Sequence, residues 1–213
     1  MARGIGISTL KPVIELLFND GLENTGSGDY AIAPSENSDE IVYADGLNGK
    51  CYAATNHSQI VISDVAELLQ NDYTIVFWTK IEDTGLDPYP QWRRITWWQV
   101  NGVYRGLELT YSSSTSTNAP YFVVDGNKNG LSTDSVINDG NWHSVSIVQR
   151  GGNITTTIDG IEQIIANNCV LMPASTELSL SSKNYSLNGY ISSFRVYDRA
   201  LSYAQIDQVL GLH

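Results

Sequence analysis

The chain is expected to be all-β, a two-sheet antiparallel sandwich, and three observations point there. β-branched and aromatic residues recur in short runs: Val13–Phe18, Tyr73–Ile81, Arg94–Val100, Gly106–Tyr111, Tyr121–Asp125, His143–Arg150, Ile154–Ile158, Glu177–Ser181 and Tyr190–Tyr197. Such residues suit a pleated, half-buried surface. Between the runs stand dipeptides that tolerate positive φ and permit tight turns, among them Asp45-Gly46, Asn101-Gly102, Asp125-Gly126, Asp139-Gly140 and Asp159-Gly160. The third observation is what the pattern lacks: it has no heptads, charge blocks or internal repeats.

Read in order, residues 1–11 form an N-terminal arm and residues 12–213 one domain. In the arm, Gly4 and Gly6 give flexibility, Ile5, Ile7 and Leu10 are apolar anchors, and Arg3 with Lys11 contrast with an acidic body. So small an apolar segment gains order by packing on a partner. Arg3, Ile5, Ile7, Leu10 and Lys11 are therefore the expected docking residues, with fold-back of the arm onto its own sandwich as the competing expectation. Ser63–Leu69 has room for a turn or two of helix in a connection. Within Thr74-Ile75-Val76-Phe77-Trp78, alternate side chains face opposite ways, so one set can fill an intersheet core. Ser112–Asn118 reads as a polar loop, and Asn153–Ile164 as a hairpin centred on Asp159-Gly160. At the end, Ser202 is a good N-cap and Gln205 completes a capping box. Ile206, Val209 and Leu210 then share one face, which predicts a short C-terminal helix packed on the sandwich.

Composition narrows the function. With 12 Lys and Arg against 23 Asp and Glu the net charge is −11, which argues against a nucleic-acid partner, since phosphate binding needs clustered basic residues. The first residues contain no sustained apolar stretch, so no signal peptide is expected. No apolar run approaches bilayer thickness, so no membrane insertion is expected either. Cys51 and Cys169 lie far apart with no neighbouring thiol; buried free thiols and a long-range disulfide both stay open.

Four segments, in this order, resemble the laminin G-like branch of the concanavalin A-like lectin/glucanase superfamily. Ile14–Phe18 with Asn24-Thr25-Gly26-Ser27-Gly28 is similar to that family's opening strand and loop. Gly46–Tyr52 followed by Asp72–Lys80 is similar to its next paired segments. Asp139–Val145, with Ile158-Asp159-Gly160 further on, is similar to its Trp-His and Asp-Gly segments. Leu187–Ile191 through Arg195–Ser202 is similar to its closing strand and turn. The resemblance implies a jelly roll of two stacked sheets with the first and last strands adjacent. It also implies Ca²⁺ in many relatives, held by acidic side chains of the opening loop and final strand. Here Asn24 and Ser192-Ser193 stand at those positions, while Asp20, Glu23 and Asp29 remain nearby. Calcium takes several charged oxygens, so no cofactor is expected beyond a weak, remodelled Ca²⁺ site.

Glycoside hydrolysis uses two carboxylates a few ångströms apart, and no strand carries such a cluster; Asp159 and Glu162 flank a turn. There is no nucleophile elbow, zinc-binding His pair or phosphate loop, and His143 reads as structural beside Trp142, which is expected to cap the core. No catalytic residue is assigned and the protein is expected not to be an enzyme. The sharpest binding signal is Pro88–Trp98. If Arg94–Val100 is a strand, Trp97 and Trp98 face opposite ways; the outward one can offer a sugar a stacking surface, with Tyr89, Trp92 and Arg93 beside it, and cover by loops or by a protein partner are the competing expectations.

A laminin G-like module usually works outside cells, and no export route is visible. The expected role is therefore a bacteriophage virion surface protein, a capsid decoration or tail-fibre-like adhesin, that contacts other virion proteins or copies of itself and recognises glycan. A free-standing lectin is the alternative, and a cryptic glycan hydrolase comes third.

Overall fold

A computed structural model describes residues 10–19, 21–54, 57–82, 92–100, 103–112, 117–124, 127–130, 137–166 and 177–212. The first strands are β1 (Ile14–Leu16), β2 (Ile32–Pro34), β3 (Val42–Gly46), β4 (Gly49–Ala54) and β5 (Ile60–Ser63). After the short helix α1 (Ala66–Gln70) come β6 (Tyr73–Glu82), β7 (Trp92–Val100), β8 (Val103–Ser112), β9 (Thr117–Val124) and β10 (Asn127–Gly130). The remainder is β11 (Asp139–Arg150), β12 (Asn153–Ile158), β13 (Ile161–Ala166), β14 (Glu177–Leu180), β15 (Gly189–Tyr197) and α2 (Tyr203–Leu210).

These strands form two antiparallel sheets. The eight-stranded sheet runs β13-β12-β11-β6-β15-β4-β3, with β1 also on β15; the seven-stranded sheet runs β10-β9-β8-β7-β14-β5-β2. As the resemblance implied, the terminal strands are adjacent, with Ile14, Glu15 and Leu16 opposite Val196, Arg195 and Phe194. Tyr73, Ile75 and Phe77 of β6 point between the sheets into a core that includes Trp98, Leu107, Leu180 and Phe194. Val76, from the alternate set, points outward and is covered by Ile206 and Leu210 of α2. The helix starts as predicted: the Ser202 N–H donates to Gln205 Oε1 at 2.9 Å. It stops at Gly211, which takes a left-handed φ of 73° that costs a glycine little.

Three expectations need correction. Helix α1 begins at Ala66 because Ile60–Ser63 is strand β5, paired with both β14 and β2. The polar loop is shorter than Ser112–Asn118, since Ser112 and Thr117 pair across the β8–β9 hairpin. Trp142 does not cap the intersheet core; its ring lies 6.4 Å from that of Tyr190. Cys51 is buried and free, while Cys169 lies outside the described residues.

Candidate functional site: an aromatic platform on the seven-stranded sheet

Strand β7 carries a bulge between Arg94 and Thr96. An extra residue shifts the alternation of side chains, so Ile95 and Trp98 enter the core while Arg94 and Trp97 share the outer face. Trp98 is 1% exposed and meets Tyr73 edge-on, with ring centroids 6.0 Å apart. Trp97 is half-buried and held in place from two sides. Its Nε1–H donates to the Ser181 carbonyl at 2.8 Å, and the Arg94 guanidinium lies 4.7 Å from its ring. The same guanidinium is 4.8 Å from the ring of Tyr185, and the Arg94 N–H donates to the Tyr185 carbonyl at 3.0 Å. Arg94 Nε also donates to Glu108 Oε1 at 2.9 Å.

The positions across from Trp97 are small. Gly106 on β8 and Ser179 on β14 are its direct partners in the two flanking strands. A Cβ on Gly106 would come within 2.7 Å of the Trp97 Cβ, so only glycine allows the two strands to pass there. The result is an indole with low neighbours on both sides and its edge pinned, a surface suited to the apolar face of a sugar ring.

The predicted site residues are only partly brought together. Trp97 is the outward member of the pair. Arg93 is 7% exposed, so the surface cation beside the indole is Arg94, one residue on. Trp92 opens β7, its side chain lying outside the described residues, as does Tyr89. Glu108 and Tyr185 were not anticipated, for each reaches Arg94 only through tertiary pairing. Of the docking residues, Leu10 is taken up by its own chain, packed against the α2 cluster; this is the fold-back alternative at that residue. Lys11 is exposed, and Arg3, Ile5 and Ile7 lie outside the described residues.

Of the positions that the resemblance links to calcium, Asn24, Ser192 and Ser193 are engaged within the fold, and Asp20 lies outside the described residues. Asn24 Oδ1 accepts from the Glu15 and Gly26 N–H groups, both at 2.9 Å, while Nδ2 donates to the Gly28 carbonyl at 2.8 Å. Oδ1 thus ties the opening loop to β1, as a carboxylate also could, while Nδ2 closes the loop on Gly28 by a bond that a carboxylate cannot donate. Ser192 and Ser193 are buried within β15, and among the described residues no group of three or more His, Cys, Asp or Glu is placed to hold a metal. Asn24→Asp should therefore destabilise the fold by about 1–3 kcal/mol, the usual cost of an unsatisfied partly buried group. Urea unfolding checks this, and an unchanged midpoint would contradict it.

His143 sits in a clamp. Its Nδ1 is 2.6 Å from Asp159 Oδ2 and its Nε2 is 2.8 Å from Asp139 Oδ1. Asp159 and Gly160 form the predicted turn, with φ of 50° and 78°. When protonated, the imidazole donates from both ring nitrogens and has no lone pair free for base catalysis or a metal. Burial works against charging it, but the hydrogen bonds and charges of Asp139 and Asp159 outweigh that and raise its pKa. The His143 hydrogen bond, aided by Asn141, lowers Asp139 to about 2.

The sign of the pH effect follows by linkage. The His143 contribution is complete below its ordinary value of 6.5 and is lost as pH rises through the raised folded value. The Asp139 contribution is present above its ordinary 3.8 and is lost as pH falls towards about 2. Stabilisation by the clamp should thus peak near about pH 5, moderated by water because the Asp139 side chain is 38% exposed. The melting-temperature gap between wild type and His143→Gln should be widest there and narrow above neutrality; a gap independent of pH would contradict the clamp.

Residues 54–207 match the Laminin_G_3 family model of the concanavalin A-like lectin/glucanases superfamily, and the chain belongs to that superfamily. None of the curated proteins matches it in sequence. Among solved structures it is similar to domain 4 of AbnA, a GH43 extracellular arabinanase from Geobacillus stearothermophilus, in complex with arabinotriose. That likeness has a TM-score of 0.71 at 20% identity, over 93% of this chain and 98% of that one. It is also similar to the binding domain of botulinum neurotoxin DC in complex with SialylT, with a TM-score of 0.70 at 14% identity over 96% of this chain. The chain spans about half of that binding domain, 52% of its length. Trypanosoma rangeli sialidase is more distant, with a TM-score of 0.56 at 10% identity, over 77% of this chain and 27% of that one. At these identities the likenesses establish the fold.

Proposed function

We propose that this domain is a non-enzymatic glycan-binding module whose contact surface is the outer face of the seven-stranded sheet, centred on Trp97. The observation that carries the reading is an indole fixed before any ligand arrives, by Ser181 on its edge and Arg94 on its face. Preorganised aromatic surface binds with little entropy left to lose. The arabinanase domain, nearly equal in extent to this chain, was solved with arabinotriose, and the neurotoxin domain with SialylT; both support a sugar-binding use of this fold. Against catalysis stands the carboxylate geometry. Glycosidases need an acid and a base or nucleophile free to face one bond, whereas Asp139 and Asp159 are both bound to His143, and Glu108 is paired with Arg94. Binding to an immobilised glycan array, with Trp97→Ala as control, tests the proposal. Sugar hydrolysis at a rate that survives repurification would overturn its non-enzymatic half.

The finer reading, a bacteriophage virion protein, rests on sequence alone: the basic arm on an acidic body. In this reading the arm docks on other virion proteins or on copies of the chain, through Arg3, Ile5, Ile7 and Lys11, since Leu10 is already engaged. Co-purification with particles, lost on deleting residues 1–9, supports it; a chain found only free of particles contradicts it.

A further inference from the structure

We infer that the platform at Trp97 selects uncharged glycans over sialylated or uronic-acid ones, an inference that rests on reading the platform as a glycan site. Recognising a sugar carboxylate takes a nearby cation whose charge is not already balanced, most often an arginine fork. Strands β7 to β10 carry Arg93, Arg94, Arg105 and Lys128, and β14, β5 and β2 carry no Lys or Arg. Arg93 and Arg105 are buried at 7% and 1% exposure, with Arg105 donating to Gln149 Oε1 at 3.3 Å.

Arg94, the cation at the indole, is balanced by Glu108 at 2.9 Å. Glu108 is fully buried, and its Oε2 has no hydrogen-bond partner. Its charge repels a second carboxylate brought to Arg94. Lys128 shares a cross-strand row with Trp97, through Val123 and Gly106. Three strand spacings put its backbone roughly 14 Å from that of Trp97; its side chain lies outside the described residues. Lys183, after β14, keeps its charge but is drawn away to the far edge of the sheet, where it donates to the carbonyl of Glu36, just past β2, at 3.3 Å. A chain charge of −11 adds a net repulsion for an anionic ligand.

The test is a glycan array followed by titration of two pairs: lacto-N-neotetraose against its sialylated form, and arabinotriose against trigalacturonic acid. Expected are hits confined to uncharged glycans. Within any pair that binds, the neutral member should be at least tenfold tighter, insensitive to added salt and lost with Trp97→Ala. Glu108→Gln, which unbalances Arg94 while keeping its shape, should raise the relative binding of acidic glycans severalfold. Trp97-dependent binding that favours acidic glycans, or selectivity unchanged in Glu108→Gln, would overturn the inference and leave the platform standing. An array with no hit at all, or hits that ignore Trp97, would overturn the platform itself.

Discussion

Trp98→Ala should lower the stability of the domain by about 3–5 kcal/mol, the range for removing a large aromatic side chain from a core that cannot fully collapse. Trp98 is 1% exposed, lies among Ile95, Leu107 and Leu180, and presents its ring to Tyr73 at 6.0 Å and 85°. It bridges the two sheets, because Tyr73 belongs to β6 and Trp98 to β7. For a domain of this size each kcal/mol moves the melting point by about 2–4 °C, so a drop of order 10 °C is expected. Chemical denaturation should show a lower midpoint with an unchanged slope. A loss below about 1 kcal/mol would mean that the core closes over the gap, contrary to the close packing described.

Trp97→Ala, one residue away, should have the opposite profile. The indole contributes a hydrogen bond to Ser181 and a face to Arg94, so a modest stability loss of about 1 kcal/mol is expected. Its main effect should be on glycan affinity. Stacking on an aromatic platform is worth roughly 1–3 kcal/mol for a nucleic-acid base, and a comparable scale for a sugar means a weakening of about tenfold or more. The folded variant should retain its far-ultraviolet spectrum while losing retention on the glycan surface. Unchanged affinity would remove Trp97 from the site.

The contrast between these neighbours shows what the sequence could and could not convey. Strand alternation requires Trp97 and Trp98 to face opposite ways, and that much was legible. Which one faces out depends on the bulge at Arg94–Thr96, which places Arg94 and Trp97, three residues apart, on one face. A regular strand would have grouped Arg94 with Trp98 instead. Glu108 and Tyr185 join the site by cross-strand pairing and by a loop returning beside β7, and no local pattern encodes either contact. The same distinction explains the fold. The β1–β15 pairing, the Asp159-Gly160 turn and the Ser202–Gln205 capping box rest on local chemistry or on the family's segment order, and all were foreseen. Trp142 was misplaced because its partner, Tyr190, lies two strands away across β6. The short strands β2 and β5 were missed because Ile32–Pro34 and Ile60–Ser63 are too brief to display a period.

The central claim, that glycan lies on the outer face of the seven-stranded sheet at Trp97, is tested most directly by following the tryptophan indole N–H resonances of the ¹⁵N-labelled domain during titration with a glycan taken from the array. The Trp97 indole, identified by its absence in Trp97→Ala, should shift with saturation while the Trp98 indole, buried on the opposite face of β7, moves far less. A bound glycan that leaves the Trp97 resonance in place and shifts residues of the eight-stranded sheet or of α2 would contradict it.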